Sequence, residues 1–252
     1  SRIGPVEYPK TGQDPSSCRI GVVNVANATT TWLNIPGDPA QNYIVRMEFI
    51  PSTNNLLIQQ LNRRQNRTRL FMAGVAGGDP MVIYEEADKA WIDVFTGDAN
   101  TYAIDFVNDF TWIDGNKNIL WASEKDGWRH LYLVSLEGKP ETLVTRGDFD
   151  VISFKQYDPE KGYVYFMASP ENATQKYLYR TRPDGKGRPE LMSPATMKGT
   201  HEYAFPVKGR YAFHTFSNYC TRRAEELIVI NDHKPLDESK SISAMLDNFR
   251  IK

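Results

Sequence analysis

The chain has 252 residues, with 30 Lys and Arg against 31 Asp and Glu for a formal charge of −1, and it is 40% hydrophobic and 12% aromatic. This is the composition of a globular protein and excludes wholesale disorder or a fibrous repeat. Basic residues scattered among acids create no field for a phosphate backbone, and no apolar run is long enough to span a bilayer, so neither nucleic acid nor a membrane is an expected partner of this segment.

Taken in chain order, the apolar stretches are short, rich in β-branched and aromatic residues, and bounded by Gly, Pro, Asn or Asp, which is the pattern of strands. Residues 19–25 (RIGVVNV) and 29–35 come first. A group of four follows at 47–50, 55–61 (NLLIQQL), 69–75 and 80–85, then another at 110–113, 118–123 (NILWAS), 130–136 (HLYLVSL) and 139–144. A third lies at 151–157, 162–168 (GYVYFMA), 176–182 and 188–192. A fourth has strands at 202–207, 211–216 and 225–231 and loses its last strand in the tail. Only residues 239–248 suggest a helix, with Ile242, Met245, Leu246 and Phe249 on one face.

Each group opens near an aromatic residue, Phe49, Phe110, Phe154 or Phe205, and turn residues separate its strands. Units of about 40–50 residues with four strands each predict an all-β fold of propeller blades, which bury their faces by stacking on one another. A β-sandwich is the second choice. The expected divisions are a blade remnant over 1–36, blades at about 44–86, 109–146, 150–193 and 201–233, and a helical tail over 239–252. This is a partial propeller of about four to five antiparallel blades, part of a larger one. Cut blade faces are expected to drive self-association of the fragment.

Chemistry is sparse along the chain. There is no G-x-S-x-G elbow, P-loop, G-x-G-x-x-G turn, H-E-x-x-H or EF-hand loop. His130, His201, His214 and His233 each lie in or beside a strand, away from any Ser or Cys in a recognisable arrangement. Cys18 and Cys220 form no metal-ligand spacing, and either a long-range disulfide or two free thiols would account for them. No catalytic residue, metal site or cofactor is therefore expected. Glu85 and Glu86 form an acidic pair that a solvated strand end explains, and sequons at Asn27, Asn66 and Asn172 carry meaning only in a glycosylating pathway. The densest feature is SEKDGWRHLY over 123–132. There Asp126 and Gly127 suit the two positive-φ positions of a tight hairpin, and Trp128 and Arg129 are placed to stack and bridge to the next blade.

This SEKDGWRHLY segment closely resembles the S-E-x-D-G-W/Y-R-H-L/I motif in the propeller of the dipeptidyl peptidase IV family, bacterial relatives included. Further segments agree in order: YPKTG at 8–12 leading into RIGVV at 19–23, LNRRQN at 61–66, Trp91-Ile92-Asp93, TRGDFDV at 145–151 and Gly199-Thr200-His201. Departures fall at Phe149, where Trp is usual, and at Arg222-Arg223, where a proline is common.

The resemblance implies the second half of an eight-bladed propeller that, in the family, precedes an α/β-hydrolase domain carrying Ser, Asp and His. Those enzymes are secreted or periplasmic serine exopeptidases that release Xaa-Pro and Xaa-Ala dipeptides. The family's ammonium-binding glutamates and carbonyl-binding arginine would lie upstream, and Glu85-Glu86 is not that pair. The W-x-x-x-F spacing from Trp91 marks Phe95 as the candidate border of the substrate groove. Peptide substrate would be reached through the hydrolase domain, homodimerisation of the parent protein is implied, and the chain alone would be inactive. The alternative reading is a free-standing propeller that binds a peptide, glycan or protein.

Overall fold

The computed structural model describes residues 10–94, 111–206 and 211–236. Among these there is no helix; the strands form one two-stranded and four four-stranded antiparallel sheets, each four-stranded sheet in sequential order. The suggested helix over 239–252, Phe95 and Phe110 lie outside the described residues.

The chain divides into two compact units. In the first, β1 (Gly21–Asn24) and β2 (Thr29–Trp32) form a hairpin, and β3 (Asn42–Phe49), β4 (Asn55–Asn62), β5 (Arg67–Gly74) and β6 (Met81–Ala87) form the first blade. The apolar run of β4 predicts burial on both faces, and all six of its central residues are buried. Ile20 and Leu33, flanking the hairpin, pack with Leu56, Ile58, Phe71 and Ala73. Phe49, the aromatic residue near which the first group opens, is 60% exposed on β3. Strand alternation places it on the face opposite the buried one.

The LNRRQN segment is the β4–β5 turn. The Asn62 side chain accepts from the backbone N–H groups of Asn66 and Arg67 at 2.9 and 3.0 Å, and its amide donates to Asn66 Oδ1 at 2.8 Å. An Asx-type closure of this kind satisfies turn donors that the ladder leaves unpaired.

The second unit holds three blades in succession. The first comprises β7 (Thr111–Ile113), β8 (Asn118–Ser123), β9 (His130–Ser135) and β10 (Thr142–Leu143). Next come β11 (Val151–Asp158), β12 (Tyr163–Ala168), β13 (Tyr177–Thr181) and β14 (Glu190–Leu191). The last contains β15 (Thr200–Ala204), β16 (Tyr211–Ser217), β17 (Ala224–Val229) and β18 (Lys234–Pro235). The fourth group thus keeps its fourth strand, contrary to the expectation that it ends with three. β18 is only two residues long and contains Pro235, which has no N–H to donate and is tolerated at a sheet edge. β10 and β14 are equally short, a length that blunts outer edges against stray pairing.

Side chains between neighbouring blades make the core. Ile113, Leu120, Leu131 and Val144 meet Val151, Val164, Phe166 and Tyr179, and on the other side of that sheet Tyr165, Met167 and Leu178 meet Tyr203, Ala212 and Ile228. Phe149 stacks on Phe166 with centroids 6.2 Å apart and planes 5° from parallel. A Cβ on Gly147 would come within 2.3 Å of the Phe149 ring, so the glycine makes room for the aromatic that follows it.

Two sets of polar contacts repeat from blade to blade. Val151 N–H donates to Arg129 O at 2.7 Å, and His201 N–H donates to Lys176 O at 2.9 Å. In both cases the residue just before a blade's third strand holds the first strand of the next blade. A buried hydroxyl then serves the second residue of each third strand: Leu131 N–H donates to Thr145 Oγ1 at 2.9 Å, and Leu178 N–H to Ser193 Oγ at 2.8 Å.

Candidate functional site

The SEKDGWRHLY residues do not form a two-residue hairpin. Glu124 to Arg129 make a six-residue connection between β8 and β9, and of the predicted pair only Gly127 has positive φ, at 96°. Asp126 instead caps the loop, accepting from Trp128 N–H at 3.3 Å, with its other oxygen 2.8 Å from His130 Nδ1. His130 Nε2 lies 3.1 Å from Gly147 O, so the buried ring ties this loop to the one after β10. Burial works to raise the Asp126 carboxyl, but bonds from His130, Tyr132 and the Trp128 backbone hold it below its ordinary value. Arg129 does bridge to the next blade, through its backbone: its carbonyl receives Val151 and its N–H donates to Asp150 Oδ1 at 2.7 Å. Its guanidinium pairs with Glu124 at 3.0 Å. Through Asp126 and the Arg129 backbone this loop is tied to His130 and to the start of the next blade.

Glu85 and Glu86 face opposite sides of β6. Glu85 pairs with Arg69 directly across the sheet, and Glu86 accepts from the Tyr84 hydroxyl at 2.7 Å. Cys18 and Cys220 are both free and exposed.

Three histidines that sequence spacing keeps apart come together in the last blade. Register places Tyr203 of β15 opposite His214 of β16, and His214 opposite Glu226 of β17, so the three form one row across the sheet. His201, two residues before Tyr203, shares its face, and His233 reaches the row from the β17–β18 turn, where its φ is 49°. The rings are in close contact, with centroids 5.0 Å apart for His201 and His214, 4.5 Å for His214 and His233, and 4.6 Å for Tyr203 and His214.

The polar atoms line up in order. Met197 O lies 2.8 Å from His201 Nε2, His201 Nδ1 lies 2.8 Å from His214 Nε2, and His214 Nδ1 lies 2.8 Å from Glu226 Oε1. His233 Nδ1 is 3.3 Å from the Tyr203 hydroxyl, itself 2.9 Å from Ser193 Oγ. His233 Nε2 is buried, 3.5 Å from Glu226 Oε1, and has no hydrogen-bond partner among the described residues. Burial, and then the adjacent His201, push His214 down to about 4. Burial followed by His214 does the same to His233, and burial lowers His201 as well. At neutral pH the rings are therefore neutral. Met197 O can only accept, so His201 Nε2 donates to it, and the two imidazoles link that carbonyl to Glu226 in one row.

Four-stranded antiparallel sheets in sequential order, the three of the second unit packed face to face through apolar layers, define the protein as a β-propeller-type chain. The dipeptidyl peptidase IV N-terminal region matches residues 3–222, and the chain belongs to that family. It is 22% identical over 251 residues to dipeptidyl peptidase 4 of Trichophyton rubrum, covering 97% of this chain and 31% of that protein. Identity to the dipeptidyl peptidase 4 of Arthroderma otae is 21%, with the same coverage. The crystal structure of Porphyromonas gingivalis dipeptidyl peptidase 4 shares the fold at a TM-score of 0.74 and 24% identity, over 96% of this chain and 32% of that one. The chain thus spans about a third of the length of these relatives.

Proposed function

We propose that this chain is the non-catalytic propeller portion of a dipeptidyl peptidase IV-type serine exopeptidase. The complete protein would release Xaa-Pro and Xaa-Ala dipeptides from free N-termini in the periplasm or outside the cell. In it these blades gate access to the catalytic centre and shape the groove beyond the scissile bond, with Phe95 at its border. The observation that carries this reading is the family match over 3–222.

The commitments of the histidines support the same reading. Their ring nitrogens face Asp126, Gly147 O, Met197 O, Tyr203, Glu226 or one another, which among the described residues leaves none placed to activate a serine or cysteine as a nucleophile. Gly-Pro-p-nitroanilide tests the proposal. The chain alone is expected to release no nitroaniline, and the complete protein that carries it is expected to release it. Hydrolysis by the chain alone, or none by the complete protein, overturns the proposal.

A further inference from the structure

We infer that His214 Nδ1, Glu226 Oε1 and His233 Nε2 form a zinc-binding site in the last blade, independent of the peptidase reading. The three atoms lie within 4.8 Å of one another. Their separations of 2.8 Å from His214 to Glu226 and 3.5 Å from His233 to Glu226 bracket the ligand-to-ligand distance of about 3.3 Å that tetrahedral Zn²⁺ requires with bonds of about 2.0–2.1 Å. The third separation, from His214 Nδ1 to His233 Nε2, is within 4.8 Å, so a bound ion would draw the two rings together by up to about 1.5 Å. Two imidazoles and one carboxylate are a common ligand set for zinc, with water in the fourth position. The carboxylate side offers the approach, because the Glu226 side chain is one-third exposed while His214 is fully enclosed.

The contacts around the three atoms suit a cation. A ligating imidazole must present a bare nitrogen to the metal and donate its other N–H outward, which fixes its tautomer. Both rings are arranged to do so. His214 Nε2 faces His201 Nδ1, and His201 in turn donates to Met197 O. His233 Nδ1 faces the Tyr203 hydroxyl, which reaches Ser193 Oγ. The two nitrogens left over, His214 Nδ1 and the otherwise unpartnered His233 Nε2, converge on the same carboxylate oxygen. A zinc ion placed among the three accepts all of those lone pairs at once. It gives the buried His233 Nε2 a partner. The ligands come from β16, β17 and the turn after β17, so the ion would pin that turn onto the blade. Its outer shell reaches Ser193 and Met197, in the segment that follows β14 of the preceding blade.

The test uses the 252-residue chain stripped with dipicolinate and titrated with ZnCl₂ by calorimetry. One zinc per chain, a higher Tm with zinc than after stripping, and the visible d–d bands of tetrahedral Co²⁺ on cobalt substitution are expected. His233→Ala should weaken zinc binding by at least about 100-fold, a larger effect than loss of an outer-shell partner. Tyr203→Phe removes only such a partner and should cost about 10–100-fold. Tyr203→Phe also decides the question if His233→Ala does not fold. A stripped chain that takes up no zinc, or zinc binding unchanged in Tyr203→Phe and His233→Ala, overturns the inference.

Discussion

Replacing Thr145 by valine isolates one buried hydrogen bond. Thr145 is completely enclosed, and its hydroxyl accepts from the Leu131 backbone N–H at 2.9 Å. Valine keeps the shape of threonine, so no cavity opens and the neighbouring apolar side chains stay in place. What is lost is the acceptor, leaving a buried N–H unsatisfied in the third strand of its blade. An unpaired buried donor costs about 1–3 kcal/mol, and the small gain from a methyl in place of a hydroxyl leaves a net loss of about 1–2 kcal/mol. For a chain of this size each kcal/mol moves Tm by roughly 2–4 °C, so Tm should fall by about 2–8 °C. Urea denaturation followed by tryptophan fluorescence measures the free energy, because Trp121 lies buried in the neighbouring strand of the same sheet. Hydrogen exchange at the Leu131 amide provides a local readout. A Thr145→Val variant as stable as the parent, with Leu131 equally protected, would refute the claim that this hydroxyl latches the strand.

Two further perturbations probe other parts of the second unit. Gly185 has φ of 65°, and an added Cβ would lie 2.2 Å from Leu143 O in the preceding blade. Gly185→Ala should therefore destabilise by at least about 1–3 kcal/mol, seen as a lower urea midpoint; an unchanged midpoint would show that the turn moves freely away from Leu143. Asp126, whose folded pKa is held below 3.8, contributes stability that is complete above that value and is lost as pH falls through the lower folded value. Asp126→Asn should thus lower stability at neutral pH and flatten its dependence below about pH 4, and an acid profile identical to the parent's would contradict the His130 latch.

Strand positions were readable because the physical signal is local. In NILWAS, HLYLVSL and GYVYFMA the apolar run itself specifies a strand buried on both faces, and those residues are β8, β9 and β12. The fourth strand of the last group was not readable. β18 consists of Lys234 and Pro235, a pair with no strand propensity, and its pairing is imposed by the neighbouring β17. Asp126-Gly127 misled for a related reason. The dipeptide suits a two-residue turn, but Asp126 has a better use as acceptor for Trp128 N–H and His130, and that use draws the connection out to six residues. LNRRQN was visible as a family segment, whereas its function as an Asn62-closed turn needed the backbone to be seen.

The histidine cluster was invisible for a different reason, and that reason bears on what it does. Metal motifs are recognisable when ligands share a helix face or a short knuckle, so that their separation in sequence reflects their separation in space. Here the intervals are set by hairpin loops: His214 and Glu226 are adjacent across a strand pair, and the chain between them is simply the β16–β17 connection. His130 makes the contrast useful. It too is buried and uses both ring nitrogens, which meet the Asp126 carboxylate and Gly147 O. In the last blade two rings are arranged in series and a third brings a buried, unpartnered nitrogen to the same carboxylate. A structural histidine needs only a filled bond at each nitrogen, and His130 has that within the protein. His233 Nε2 does not, and the cation inferred above would be its partner.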